Sequence, residues 1–231
     1  GCRLFPSLKD KMTVIYNAKN PGIIRRKAAA TTGDDRIDRP YLLAVERLEE
    51  SQKDLTTLLE AYALLRKTFH REEWLYIIGK GSSEEELKQK ARALGIADRT
   101  VFLGFCANPY PWMLRSRLLV HSAKFEGLPT VLIEGLLLDK LMVATDCPTG
   151  PREILDDGRA GLLVPVGDAA AFASATNRLL NDTQLQADIL QGVRDRAADF
   201  TFQAVDSKLR ELMGIRLSTD GNRRSSTTFN R

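Results

Sequence analysis

The chain has 231 residues, of which 43% are hydrophobic and 28% are charged; this composition excludes a wholly disordered or collagen-like chain and is typical of a soluble globular protein. No apolar run approaches the roughly 18–20 residues that cross a bilayer, and the segment Gly1 to Asn20 lacks the apolar centre of a secretory signal, so we expect a cytoplasmic protein. The net charge of +4 does not indicate nucleic-acid binding, although it leaves open a peripheral contact with anionic lipid at the inner face of the membrane.

The first 39 residues indicate a linker with a short first strand, predicted at Met12–Tyr16. The polar stretch Ala28–Arg39 that follows is interpreted as a surface loop. We expect one domain over residues 12–215. Residues 216–231 are rich in Ser, Thr, Asn and Arg without an apolar period, and such a segment buries too little surface to offset the entropy of ordering it. We therefore predict a disordered tail there.

Short β-rich runs alternate with amphipathic helical stretches from Tyr41 onward. This alternation is expected when each parallel strand needs a crossover helix to return. Several runs are apolar throughout, as strands covered on both faces tend to be. The pattern predicts an α/β fold, a Rossmann-like doubly wound parallel sheet of about six strands with flanking helices. The predicted strands are Tyr41–Val45, Trp74–Ile78, Thr100–Phe105, Leu118–Ser122, Leu141–Thr145 and Gly161–Val164.

Helix starts are marked by capping residues between and after these strands. Asp54 and Asp168 stand where the side chain of an N-cap residue accepts a hydrogen bond from the first turn, and Ser83 with Glu86 has the spacing of a capping box. Pro129 fits the first turn of the helix after the fourth strand. The predicted helices are Leu55–Phe69, one from Ser83 through Leu94, one from Pro129, Ala169–Leu180, Thr183–Asp199 and Thr201–Ile215.

A glycine turn and a helix start follow the fourth strand directly, in the segment from Ser122 to Glu134. Open α/β sheets bind ligands at this edge, and the free N–H groups of Gly127, Leu128 and Thr130 favour an anion. Glu126 and Glu134 are eight residues apart, which places the second roughly 12 Å down the helix axis. By themselves such carboxylates are more typical of a helix-start charge and a solvated position.

Arg47 and Lys53 follow the end of the first long strand and could face the same crevice. Two cations there could neutralise a diphosphate leaving group in place of a metal ion. Alone they are more typical of a solvated loop. The chain has no Asp-x-Asp triplet and no Cys-x-x-Cys pair, so we predict neither a metal site nor a disulfide framework.

The segment Ser122 to Glu134 resembles the E-x7-E signature of retaining group 1 glycosyltransferases of the GT-B fold. The resemblance implies that Glu126 contacts donor-sugar hydroxyls near the reacting carbon and that Glu134 binds the ribose hydroxyls of the nucleotide. It also implies a donor-binding turn made of Gly127, Leu128, Pro129, Thr130 and Val131.

The segment from Ala44 to Leu55 is similar to the Gly-Arg-Leu…Lys motif of the same family. The resemblance implies that Arg47 and Lys53 stabilise the departing diphosphate and are catalytic. Glu46 stands where the family usually has glycine. Because a carboxylate aimed at a diphosphate would repel it, we expect Glu46 to point to solvent.

Two further segments resemble those whose backbone lines the nucleobase pocket, and they supply Gly79 and Phe105 as donor-binding candidates. Gly79 and Gly81 do not complete a G-x-G-x-x-G fingerprint because Glu84 stands at the third position, which disfavours a nicotinamide-dependent oxidoreductase. The stretch after the fifth strand resembles the close of the donor domain in bacterial envelope-polysaccharide transferases. His121 is interpreted as a packed core residue.

The resemblance spans roughly Met12 to Asp199 and implies the C-terminal, donor-binding half of such an enzyme. The implied partners are a nucleotide-sugar donor, with UDP-sugars favoured, an N-terminal acceptor-binding domain of the same enzyme, and a glycan or lipid-linked acceptor. It implies no cofactor and no metal. We expect this half alone to bind donor but scarcely to transfer sugar. The alternative is a non-catalytic module that binds a nucleotide or a partner protein.

Overall fold

The fold is known from a computed structural model that describes residues 13–214. Its centre is a six-stranded parallel sheet with the order β3-β2-β1-β4-β5-β6, which confirms the predicted doubly wound architecture. The chain reverses its direction of winding between β1 and β4, and the crevice at such a switch point is where this class of sheet binds ligands. The strands are β1 (Tyr41–Val45), β2 (Trp74–Ile78), β3 (Thr100–Gly104), β4 (Leu118–His121), β5 (Met142–Thr145) and β6 (Leu162–Val164).

The strands form where the sequence is apolar on both faces. Leu43, Ala44 and Ile77 are fully buried, as expected for strands with helices packed on each side. The register pairs Leu42 of β1 with Leu118 of β4, so the ends of these strands lie side by side. This pairing fixes the position of every loop that leaves the switch point.

The helices cover both faces of the sheet, and α2 packs against α7. Asp168 caps α7 as predicted, since its carboxylate accepts a hydrogen bond from the Ala171 amide at 2.8 Å. Within residues 13–214 none of the helices is long and apolar enough to cross a membrane. The helices are α1 (Pro21–Ala28), α2 (Leu55–Thr68), α3 (Glu84–Ala93), α4 (Tyr110–Arg115), α5 (Thr130–Leu137), α6 (Pro151–Ile154), α7 (Ala169–Asn181), α8 (Thr183–Ala197) and α9 (Phe202–Leu212).

The predicted N-cap positions of α2 and α3, Asp54 and Ser83, are confirmed, but neither side chain makes the predicted capping hydrogen bond. The Glu50 carboxylate accepts from the Leu55 amide at 3.1 Å, while Asp54 accepts from the Gly167 amide at 3.1 Å and ties α2 to the loop before α7. Ser83 accepts from the Glu50 amide at 3.0 Å instead of capping its own helix. Several loops meet at this edge of the sheet. Hydrogen bonds between these loops therefore replace the local capping bonds that the sequence pattern predicts.

The N-terminal region also differs from the prediction. Residues 13–16 do not form a strand. The chain after them pairs with the segment before α9, where the Lys19 amide donates to the Phe200 carbonyl at 2.8 Å. Helix α1 forms within the first 39 residues, which were expected to be a linker, and a 3-10 turn at Asp35–Asp38 occupies part of the stretch expected to be a loop. Met12 and the predicted tail at residues 216–231 lie outside the described residues.

Candidate functional site

The loops that leave β1 and β4 are joined by backbone hydrogen bonds. The Lys124 amide donates to the Gln52 carbonyl at 2.8 Å, the Asp54 amide donates to the Ser122 carbonyl at 3.3 Å, and Lys53 forms an antiparallel bridge with Ala123. This pairing holds Lys53 directly beside the predicted E-x7-E segment.

Lys53 and Glu126 form an ion pair at the switch point. Their side chains are 9% and 8% exposed, so water screens the two charges weakly. Although burial alone would raise the pKa of Glu126, its contacts with His121 and Lys53 lower that pKa to about 2. The structure thus brings together two of the predicted catalytic residues, and Glu126 is a stable carboxylate there.

Glu46 does not point to solvent, and that expectation was wrong. Its side chain is fully buried, and its Oε1 atom lies 3.1 Å from Nδ1 of His121 and accepts from the Ser122 amide at 3.0 Å. The other imidazole nitrogen, Nε2, lies 3.5 Å from Oε1 of Glu126. Because β1 and β4 are neighbours, their ends place Glu46 against His121, and the inward orientation is stabilised by this partner.

The buried imidazole is therefore more than a packed core residue. Burial lowers the pKa of His121, but the Glu46 carboxylate and the contact with Glu126 outweigh burial and raise it. Positive and negative groups alternate through the resulting charge cluster, which consists of Glu46, His121, Glu126 and Lys53. The sequence offered one signal of this cluster, the glutamate in place of glycine before Arg47.

The turn after Glu126 presents backbone amides to the same crevice. The Thr149 hydroxyl donates to the Glu126 carbonyl and fixes the turn from the β5 side. Among residues 13–214, the amides of the turn and first helical residues have no hydrogen-bond acceptor. Such amides at a helix N-terminus favour an anion. The residues are Gly127, Leu128, Thr130 and Val131, with Pro129 between them as the N-cap of α5.

Glu134 lies further along α5 and has different partners. It accepts hydrogen bonds from Lys19 Nζ at 3.1 Å and from the Tyr110 hydroxyl at 3.1 Å. Burial, together with the nearby Glu134 carboxylate, raises the pKa of Tyr110 to about 12, so this hydroxyl stays a donor. Lys19 and Tyr110 come from segments distant in sequence from Glu134, and no sequence pattern predicted either contact.

Arg47 follows β1 but does not join the charge cluster. Its side chain is exposed and donates to Oε1 of Gln52 at 2.6 Å. Gly79 lies directly under the start of this loop, and a Cβ at that position would overlap the Glu46 carbonyl oxygen. Its φ of 151° also favours glycine. Gly79 therefore permits close approach of the loops after β1 and β2.

Phe105 lies apart from the charge cluster. Its side chain is 71% exposed and lines a cavity of 310 Å³ with Thr31, Asn108 and Trp112. A larger cavity of 890 Å³ borders the Glu126 turn, and Thr149 and Gly150 are among its lining residues. Small-molecule sites commonly fall in this size range.

No group of three or more His, Cys, Asp or Glu side chains within residues 13–214 could hold a metal ion. Near the Glu126 turn, the groups of residues 13–214 that could stabilise negative charge are side chains and backbone amides. Metal independence nevertheless remains a prediction.

A doubly wound parallel sheet with charged and amide groups at its switch point defines a Rossmann-like α/β domain with a ligand crevice. The chain belongs to the glycosyl transferases group 1 family, whose model matches residues 39–182. This match confirms the family and fold expected from the sequence motifs.

Two curated relatives are each 30% identical to the chain. One is N-acetylgalactosamine-N,N'-diacetylbacillosaminyl-diphospho-undecaprenol 4-alpha-N-acetylgalactosaminyltransferase of Campylobacter jejuni, with 82% of this chain and 50% of the relative covered. The other is lipopolysaccharide 1,6-galactosyltransferase of Salmonella typhimurium, with 87% and 56% covered. The chain thus spans about half the length of the curated relatives it matches.

Among solved structures, the chain resembles Anabaena Alr3699/HepE in complex with UDP and glucose. The TM-score is 0.73 at 22% identity, and the match covers 87% of this chain and 56% of that one. The likeness shows that the two share a fold.

Proposed function

We propose that this chain is the donor-binding half of a retaining glycosyltransferase. The enzyme would transfer a hexosyl group from a nucleotide diphosphate sugar, a UDP-sugar, to a glycan or lipid-linked acceptor. The observation that carries the proposal is the buried Lys53 ammonium, held by Glu126 at the switch point beside the amides of residues 127–131 that have no acceptor within residues 13–214.

These groups suit a diphosphate because they are positively polarised and held in place before the ligand arrives. Lys53 carries a full charge, and the start of α5 adds the partial charges of its amides. In a crevice screened from water such groups stabilise developing charge strongly, since they need not reorganise when the leaving group departs. Arg47 lies at the rim and can turn from Gln52 toward the same phosphates.

Glu126 and Glu134 then serve different parts of the donor. The Glu126 carboxylate would accept from sugar hydroxyls and orient the sugar so that the acceptor approaches on the leaving-group face, with retained configuration. Glu134, held by Lys19 and Tyr110, would accept from the ribose hydroxyls. Lys53 and Arg47 would supply the positive charge that other enzymes take from a metal ion.

The names of the relatives support the substrate classes. The Campylobacter jejuni relative is named for sugar transfer to a diphospho-undecaprenol-linked glycan, and the structurally similar Alr3699/HepE was solved with UDP and glucose. By analogy, an N-terminal acceptor-binding domain and contact with a membrane bearing the lipid-linked acceptor are the partners proposed here.

A non-catalytic nucleotide-binding module is the alternative, and it would be favoured if Glu46 repelled the diphosphate. Within the charge cluster Glu46 is 3.1 Å from the His121 imidazole, whose raised pKa favours the protonated ring that would compensate the carboxylate. This pairing supports the transferase.

Calorimetric titration of the chain with UDP, GDP and ADP tests the donor site. We expect UDP to bind most tightly and Glu134→Ala to weaken its binding by roughly 10- to 100-fold, because a hydrogen bond to a charged group contributes roughly 1.5–3 kcal/mol. Arg47→Ala should weaken binding less, since this side chain is exposed. Arg92→Ala, which removes an exposed arginine of α3 paired with Glu85, is the control. Unchanged affinity in both site variants would contradict the assigned roles.

A transfer assay separates the enzyme from the non-catalytic module. The chain is joined to an acceptor-binding domain from a group 1 relative and supplied with a UDP-sugar. Glu126→Gln should abolish transfer while UDP still binds, because the change removes the carboxylate that orients the sugar. UDP binding without any transfer by the joined wild-type protein would favour the module.

A further inference from the structure

His121 lies between two carboxylates at the end of β4. Its nitrogens are 3.1 Å from Glu46 and 3.5 Å from Glu126, and its side chain is only 2% exposed. Neither the family motifs nor the proposed chemistry assigns a role to this imidazole or to Glu46. The following inference rests on the proposed function and extends it to these two residues.

Donor binding creates an electrostatic problem for the Lys53–Glu126 pair. If Lys53 turns toward a diphosphate, Glu126 loses the cation that it contacts in this structure. Removing one partner from a buried ion pair is strongly unfavourable, because an uncompensated charge is left behind. A second cation next to Glu126 would remove this penalty.

We propose that protonated His121 is a positioning residue that holds Glu126 when Lys53 engages the diphosphate of the donor, and that Glu46 is the charge partner that keeps His121 protonated. His121 already faces Oε1 of Glu126, the oxygen that contacts Lys53. The imidazole can therefore stabilise the carboxylate without a large movement. Glu126 then stays in place to orient the sugar.

Glu46 is suited to this task because it is closer to the imidazole than Glu126 is. It lies beside the opposite nitrogen, so each imidazole nitrogen is within 3.5 Å of a carboxylate oxygen, although neither contact has hydrogen-bond geometry among the described residues. Its second carboxylate oxygen is buried and has no hydrogen-bond partner among the described residues. The Glu46 side chain is thus a buried carboxylate whose polar neighbours are the Ser122 amide and the His121 imidazole.

The pH dependence of UDP binding depends on the charged and titratable groups around the His121 imidazole. Glu46 faces it from the end of β1, Lys53 from the loop before α2, and Glu126 from the loop before α5. Cys147 lies beyond β5, and burial raises the pKa of its thiol to about 11, so it stays neutral. Since the pKa of His121 is raised above the ordinary histidine value, the proposal requires that its charge persists to higher pH than that of an ordinary histidine and is lost as pH rises further. UDP affinity should fall over the same interval.

Nuclear magnetic resonance of labelled imidazoles tests the charge state directly. The chain has two histidines, and the exposed His70 is an internal control. His121 should stay protonated at pH values above the ordinary histidine pKa of about 6.5. Glu46→Gln, which keeps an acceptor for the Ser122 amide, should lower the titration midpoint of His121 only. A neutral His121 at pH 6.5, or an unchanged midpoint in Glu46→Gln, would overturn the proposal.

Calorimetry with UDP and with uridine tests the link to the diphosphate. His121→Gln should weaken UDP binding by about tenfold at neutral pH, the equivalent of one charge-assisted contact, and leave uridine binding unchanged. It should also abolish the decline of UDP affinity with rising pH. His70→Asn, an exposed change to a residue that tolerates the φ of 53°, should alter neither ligand. Circular dichroism of each variant serves as the control for folding.

The outcomes separate the two proposals. UDP binding by the wild-type chain with no loss in His121→Gln contradicts the role of His121 alone. If His121→Gln does not fold, the UDP affinity of the wild type and of Glu46→Gln is measured across pH instead. The same dependence of UDP affinity on pH in both proteins would overturn the proposal. Absence of UDP binding by the wild-type chain contradicts the proposed function and with it this inference.

Discussion

Glu126 and Glu134 belong to one motif, yet their surroundings differ. Glu126 lies in the charge cluster with Lys53, whose side chain is 9% exposed, and beside the 2% exposed His121. Glu134 is held by Lys19, which is 30% exposed, and by a tyrosine hydroxyl. One carboxylate is therefore fixed by buried charges from neighbouring strands, and the other by a lysine that water reaches.

The difference follows from position relative to the switch point. Loops from β1 and β4 converge on Glu126, so its partners are set by the sheet itself. Glu134 projects from α5 toward the N-terminal segment and α4, which the sheet does not fix. We expect the first carboxylate to tolerate little change and the second to adapt to the ligand.

Matched lysine deletions should show the largest contrast. Lys53→Met removes a buried partner of Glu126 and should lower the free energy of unfolding by about 2–3 kcal/mol, less than the roughly 3–5 kcal/mol of an uncompensated buried charge because His121 still faces the carboxylate. Lys19→Met removes a partly exposed partner and should cost less than about 1 kcal/mol. Urea denaturation at neutral pH measures both. Equal losses of stability in the two variants would show that burial of the lysine partner does not distinguish Glu126 from Glu134.

Acid should reveal the stabilising contribution of Glu126. Because its folded-state pKa is lowered to about 2, the ionised carboxylate contributes its full stabilisation above its ordinary pKa and loses it as pH falls from there toward 2. Glu126→Gln should therefore be less stable than wild type by about 1–2 kcal/mol at neutral pH after allowance for solvent screening. The difference should shrink below about pH 4.

Urea denaturation of both proteins at a series of pH values provides the comparison, with Glu134→Gln as the matched control. This control should lose less than about 1 kcal/mol at neutral pH because its lysine partner is partly exposed. A deficit for Glu126→Gln that stayed constant down to acid pH would argue against the ion pair.

The smallest expected effect is that of Tyr110→Phe. The change removes one hydrogen bond to Glu134 and keeps the aromatic ring. We expect a loss of about 0.5–1 kcal/mol in stability and a decrease of a few-fold in UDP affinity, since Lys19 still holds the carboxylate. Thermal denaturation and calorimetry measure these effects. A loss of binding as large as that of Glu134→Ala would mean that the hydroxyl itself contacts the nucleotide.

The sheet could be predicted from the sequence because its strands are short apolar runs with helical stretches between them. Where predicted and observed strands differ, they differ by a single terminal residue. Helix α1 was missed because only Ile24 and Ala28 are buried on it, which leaves a weak apolar period. The expected strand at Met12–Tyr16 was wrong because apolar residues alone do not show whether a sheet edge is within reach.

The site was predictable only in part. The motif spacing placed Lys53 and Glu126 near each other because both follow strands that end at the same edge. The orientation of Glu46, the contact with His121 and the partners of Glu134 depend on which strands are neighbours and how the N-terminal segment packs. Those contacts join residues that are distant in the chain, so a local sequence pattern does not predict them.

Mapping UDP on the chain by amide chemical shifts tests the central claim most directly, with uridine as the reference ligand. The shifts specific to the diphosphate should centre on the backbone amides of Lys53 and of the turn after Glu126, namely Gly127, Leu128, Thr130 and Val131. Diphosphate-specific shifts confined to the cavity lined by Phe105, with residues 127–131 unchanged, would contradict it.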